Sequence, residues 1–163
     1  MTVKTMEDLF IDTLKDIYDA EKHILKVLPS MVKKATSKEL KDALGTHRQE
    51  TKGQVDRLDQ VSQLFDLTPR GKKCEAIEGI VAEAEEHMEE IGDPEVLDAG
   101  MIGSAQTVEH YEITRYGTLI AWAKQLGRDG AIQLLETNLE EEKHADKLLT
   151  KIAEAAVNEK AAA

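Results

Sequence analysis

The sequence predicts an all-α protein: four long helices form two antiparallel hairpins of one bundle, with a fifth, short helix in the long crossover between them. Three observations carry this prediction. Glycine and proline are sparse, 10 and 3 of 163 residues, and cut the chain into helix-sized pieces. Aromatic residues make up only 4% and β-branched runs are absent, which argues against sheets. In the four longest pieces apolar residues recur every three or four positions, the period of a helix that buries one face.

The first piece covers about residues 5–35, with a stripe of Phe10, Leu14, Ile17, Tyr18, Ile24, Leu25 and Leu28. Pro29 lacks an N–H and predicts a kink or an early stop. Ser37 can cap the N-terminus of the second piece, which reaches about Phe65 with Leu40, Ala43, Leu44, Thr51, Val55 and Leu58 on one side. "DLTPRGKK" then breaks the pattern before the short third helix, "CEAIEGIVAEAEEHMEEI". Pro94 suits the first turn of the fourth piece, which runs to about Leu126 and aligns Met101, Ala105, Val108, Tyr116, Leu119 and Ala123. Gly127 separates it from the fifth, which starts after Asp129 and carries Leu134, Leu135, Ala145, Leu148, Leu149 and Ile152. The tail "EKAAA" is expected to fray, and residues 1–163 are read as one domain. Long pieces of this size make rods of roughly 40 Å, and the short connections within each pair imply antiparallel hairpins.

Composition narrows the function. The net charge is −11, from 32 acidic and 21 basic residues, so a phosphate backbone would be repelled and nucleic acid is not an expected partner. No apolar run is long enough to span a bilayer, and "MTVKTMEDLF" lacks the apolar core of a signal peptide; a cytoplasmic protein is expected. The single cysteine, Cys74, cannot form an internal disulfide. No Gly-rich phosphate loop, Ser/His/Asp set or CxxC pair is present.

The informative feature is a set of charges on the apolar stripes. A step of about 100° per residue places Glu21 in the middle of the first stripe. His47 falls at the centre of the second, with Glu50 at its edge. Glu109 and Glu112 lie between the apolar residues of the fourth stripe. Glu141 and Glu142 both fall within the fifth, with His144 toward its margin. All lie near mid-helix, so antiparallel packing brings them to one level. Buried carboxylates are costly unless protonated, paired or bound to cations, and these stripes hold no lysine or arginine. Divalent metal ions can neutralise them, and carboxylates with imidazoles are suitable ligands. The alternatives remain that His47 is an ordinary core histidine and that Glu142 is a marginal group, or replaces Glu141 if the helix is turned. Tyr18 and Tyr116 share faces with the proposed ligands and could hydrogen-bond to them.

"ETKGQVDRLDQV", "KCEAIEGI", "VEHYEITRYGTL" and "LEEEKHADKLL" resemble the YciF-like bacterial stress proteins, a branch of the ferritin-like superfamily, over nearly the whole chain. The resemblance implies a ferritin-like bundle, a homodimer, and two metal ions, iron first and manganese second. The general ferritin-like pattern has a single Glu on two helices and Glu-x-x-His on the other two. Glu21 and Glu109 match the single glutamates, as terminal ligands. Glu141 with His144 matches one Glu-x-x-His pair. Glu50 is followed at the third position by Gly53 instead of His, so His47, Glu112 or water would complete that metal's coordination. Glu50 and Glu141 would bridge.

The expected function is therefore dinuclear iron or manganese redox chemistry with peroxide or O₂ in a stress-protective role. The alternative is a non-catalytic, dimeric stress-associated scaffold with a structural metal or none.

Overall fold

The computed structural model describes residues 2–163. Four long helices dominate it: α1 (Met6–Lys34), α2 (Lys38–Leu64), α4 (Pro94–Gln125) and α5 (Asp129–Ile152). The shorter α3 (Glu75–Glu90) lies in the crossover, and after α5 a single π turn (Ala153–Val157) leads into α6 (Asn158–Ala161).

Local chemistry sets the helix ends. Thr5 and Asp8 form a capping box at the start of α1, each side chain accepting from the other residue's backbone N–H. Ser37 caps α2 and Asp93 caps α4, with Pro94 in its first turn. Just past α4, Gly127 has a φ of 64° and turns the chain so that Arg128 N–H reaches the Ala123 carbonyl at 3.0 Å. That is the Schellman arrangement, in which glycine avoids the Cβ clash of the left-handed region. Pro29 does not stop α1, which continues to Lys34. The proline sits on the exposed side, where water can serve the carbonyl that has lost its N–H partner.

α1 packs on α2 and α4, and α5 packs on α2 and α4, closing a four-helix ring. The end-to-end contacts give the directions. Arg128, just before α5, donates to Glu7 near the start of α1 at 3.0 Å. Asp98, near the start of α4, holds the α1–α2 turn: it accepts from Thr36 N at 2.8 Å and from Ser37 N and Thr36 Oγ1 at 2.6 Å each. Neighbouring helices are thus antiparallel, and the crossover must travel the length of the bundle. It does so along α1. Lys72 pairs with Asp12 at 2.9 Å, Cys74 N donates to Asp19 at 3.0 Å, and Lys34 Nζ caps the Met88 carbonyl of α3 at 2.8 Å. This is the ferritin-like connectivity of two hairpins and one long connection.

The core fills the ring from Phe10, stacked on Phe65 at one end, to Leu28, Met31 and Leu40 at the other. Its central layer is polar. No helix among the described residues is long and apolar enough to cross a membrane.

Candidate metal centre

Each long helix has a buried seam that advances by three and four residues alternately, the average of 3.5 that keeps one face turned to a bundle axis. On α1 it runs Leu14, Ile17, Glu21, Ile24, Leu28. On α2 it runs Leu44, His47, Thr51, Gln54, Leu58, and on α5 Leu135, Asn138, Glu142, Ala145, Leu149. On α4, Ala105 is followed by Glu109, Glu112, Tyr116 and Leu119. Glu21, Glu109, Glu112 and Glu142 are at most 2% exposed and His47 is 6% exposed.

These side chains converge. His47 Nε2 lies 3.3 Å from Glu109 Oε1 and 3.9 Å from Glu142 Oε2. One donor atom from each of His47, Glu109, Glu112 and Glu142 falls within 4.8 Å of the others. That span is about twice a metal–oxygen bond of about 2.0–2.2 Å, the diameter of a coordination sphere. Glu21 reaches the group from α1 beside Glu112.

The electrostatics are unfavourable for bare carboxylates. Burial, then the charge of Glu142, pushes Glu21 up to about 8, although the Tyr116 hydroxyl donates to it. Burial lifts Glu109 to about 7, with the charge of Glu21 adding to it. Glu112 and Glu142 rise well above the usual carboxylate range, again chiefly through burial, then through the charges of Glu142, Glu21 and Glu109 on Glu112 and through Glu109 on Glu142. His47 is held more basic than usual: burial opposes its charge, but Glu50 beside it and the charges of Glu142 and Glu21 outweigh that.

Hydrogen bonding does not settle the account. Both oxygens of Glu112 and Glu142, one of Glu21, one of Glu109 and both ring nitrogens of His47 are buried without a hydrogen-bond partner. Among the described residues, no lysine or arginine pairs with any of the four glutamates. Orphaned acceptors around an imidazole are what a hard or borderline divalent cation uses as ligands. The four carboxylates can carry four negative charges, the number that two such ions neutralise. The residues fit the group.

The expected ligands divide in two. Glu21, His47, Glu109 and Glu112 come together in the buried layer. Glu50 sits at its edge, its Oε2 3.7 Å from His47 Nδ1, and the ring beside it holds its carboxyl below the usual range. Glu141 and His144 stay outside the layer. Glu141 turns to Arg57, and His144 is exposed. The α5 residue in the layer is Glu142.

Sequence reasoning reached Tyr116 as a support of Glu21 but missed Asn138 and Arg57 behind it. Tyr116 Oη donates to Glu21 and accepts from Asn138 Nδ2 at 3.0 Å, while Asn138 Oδ1 accepts from Arg57 Nε. Tyr18, the other tyrosine considered there, stacks under Lys22 instead, whose Nζ lies 4.9 Å from the ring centroid. The signal for Asn138 and Gln54 was present in the three-and-four seam, which counts both onto its centre.

A family model described as a domain of unknown function, DUF892, matches residues 5–162. Protein YciF of Escherichia coli strain K12 is 44% identical over 162 residues, covering 99% of this chain and 98% of its own. The crystal structure of that E. coli stress protein superposes with a TM-score of 0.91 over 96% of this chain and 99% of its own. YcfI of Rhodopseudomonas palustris, provisionally described as a structural protein, superposes at 0.90 with 50% identity over 91% of this chain and 94% of its own. A Xanthomonas campestris protein at 22% identity shares the fold, with a TM-score of 0.76 over 94% of each chain. A match along almost the entire length, with the same bundle, makes this chain a YciF-like member of the DUF892 family.

Proposed function

We propose that the protein is a dinuclear iron or manganese carboxylate protein that reacts with peroxide or O₂ in a stress-protective role. The observation that carries this reading is the layer of four buried glutamates from three helices, without a basic partner, around one imidazole. Glu21, Glu109, Glu112, Glu142 and His47 would hold the ions. When bound, the ions would supply one-electron steps and a Lewis-acid seat for a small oxidant.

The protein's own groups do the rest. Tyr116 and Asn138 fix the orientation of Glu21, as outer hydrogen bonds do for ligating carboxylates. Glu50 lies 3.7 Å from the Nδ1 side of the His47 ring, and Nε2 is directed at Glu109. Leucines and isoleucines above and below the layer limit water. A stress role is the one named for the E. coli relative and is part of the proposal here.

The test is metal content per chain after anaerobic reconstitution, for the natural sequence and for Glu142→Gln. We expect about two ions per chain in the first and a clear deficit in the second, with peroxide consumed only by the loaded protein. No stoichiometric metal would refute the reading. A non-catalytic scaffold would then lead, the role that the description of the R. palustris relative favours. A homodimer belongs to either version. Met6 and Leu9, exposed one turn apart on α1, offer apolar surface for it, and native mass measures it directly.

A further inference from the structure

An open groove of about 610 Å³ runs along the outside of the α2–α5 seam, with Glu50, Glu136, Glu140, Glu141 and His144 in its walls. A small cavity of about 40 Å³, with room for a water molecule, adjoins it and is lined by His47, Glu50, Glu109 and His144 among apolar neighbours. Glu50 and His144 are the residues common to both linings. They stand where the surface meets the interior.

Acidic side chains on a surface would mean little alone, and three of these have cations beside them. Glu136 faces Lys124 at 3.5 Å, Glu140 faces Lys143 at 2.8 Å, and Glu141 binds Arg57. Glu50 differs: among the described residues no lysine or arginine pairs with it. The independent observation is His47. It is 6% exposed, lines the inner cavity, and has no hydrogen-bond partner at either ring nitrogen. Its Nδ1 lies 3.7 Å from Glu50 Oε2 and its Nε2 lies 3.3 Å from Glu109 Oε1. One imidazole therefore spans from the throat of the groove to the buried glutamates.

We propose that Glu50 and His144 form an outer docking site for a divalent transition-metal ion, which passes ions from the groove past His47 to the buried carboxylates. The proposal rests on reading the buried layer as a metal centre. An oxygen and a nitrogen donor at the throat replace waters that the ion must shed before a cavity of this size admits it. The exchange involves ligands only, with no electron transfer. His144, which the sequence pattern assigned to the centre itself, acts here one step outside it.

Mn²⁺ is the probe, mixed rapidly with the metal-free full chain and followed by loss of the free-ion electron paramagnetic resonance signal. Elemental analysis gives the final occupancy. His144→Ala should take up Mn²⁺ about fivefold more slowly or worse, yet reach the same occupancy as the natural sequence. His110→Ala, a surface histidine on α4, should load at the natural rate. His144 is exposed, so its loss leaves the core intact. Equal rates for His144→Ala and the natural sequence would overturn the docking role. A lower final occupancy would also overturn it, by making His144 a ligand of the centre. If the natural sequence binds no Mn²⁺ at all, the metal centre fails and the docking site with it.

Discussion

Without a bound cation, the buried glutamates should reverse the usual dependence of a protein's stability on pH. In the metal-free chain, Glu21 titrates at about 8 and Glu109 at about 7, against an ordinary value of 4.5 for each. Between those values the folded chain keeps protons that the unfolded chain has released, so stability must fall as pH rises. Stability from these protons is fully present below about pH 4.5 and is lost as pH climbs through the folded-state values. Each carboxylate contributes up to about 1.4 kcal/mol per pH unit. For Glu21 and Glu109 together, the loss between pH 5 and 7 is about 5 kcal/mol, a large part of the about 5–15 kcal/mol of an ordinary domain. Glu112 and Glu142 shift in the same direction and add to it. Urea unfolding of chelator-treated protein at pH 5, 6, 7 and 8 measures this, and the same series after Mn²⁺ reconstitution should lose or reverse the trend. A metal-free stability that is flat or rises from pH 5 to 7 would refute the argument, because the glutamates would then be ionised and neutralised by something other than protons.

Two further outcomes follow from the hydrogen bonds around this layer. Tyr116→Phe removes a donor from Glu21 and an acceptor from Asn138, both buried, and should cost about 1–3 kcal/mol in urea. It should also move the pH-dependent loss of stability upward, since the tyrosine opposes the rise of Glu21; an unchanged curve would show that this bond carries no weight. Asp98→Ala deletes three partly buried hydrogen bonds that tie α4 to the α1–α2 turn, and should cost about 3 kcal/mol; Asp98→Asn, which keeps an acceptor, should cost less. Equal stability of the three proteins would show that the turn does not depend on Asp98.

The helices and their ends could be read from the sequence because the forces that set them act over a few residues. Ser37 accepts from Leu40 N three positions on, and Pro94 opens α4 where an N–H would have had no partner. The inward direction of Glu21 follows from the same local count, since Ile17, Tyr18, Ile24 and Leu25 lie one turn away; Glu109 and Glu112 neighbour each other on the stripe that also carries Ala105, Val108 and Tyr116. Pro29 shows the limit of local reasoning: packing of α1 on both sides of it carries the helix through to Lys34.

What the sequence left open was the rotation of α5. Glu141 and Glu142 are about 100° apart, and an apolar stripe is wide enough to include either. Contacts from other helices choose between them. Leu135, Ala145 and Leu149 are buried where α5 packs on α2 and α4, and Asn138 reaches Tyr116 of α4, which turns Glu142 inward. Arg57 of α2 draws Glu141 outward, and His144, three residues on, goes to the surface with it. A helical period specifies which residues share a face, whereas the direction of that face is a property of the helices packed against it. For this protein, that direction decides whether a glutamate lies in the buried centre or on the groove outside.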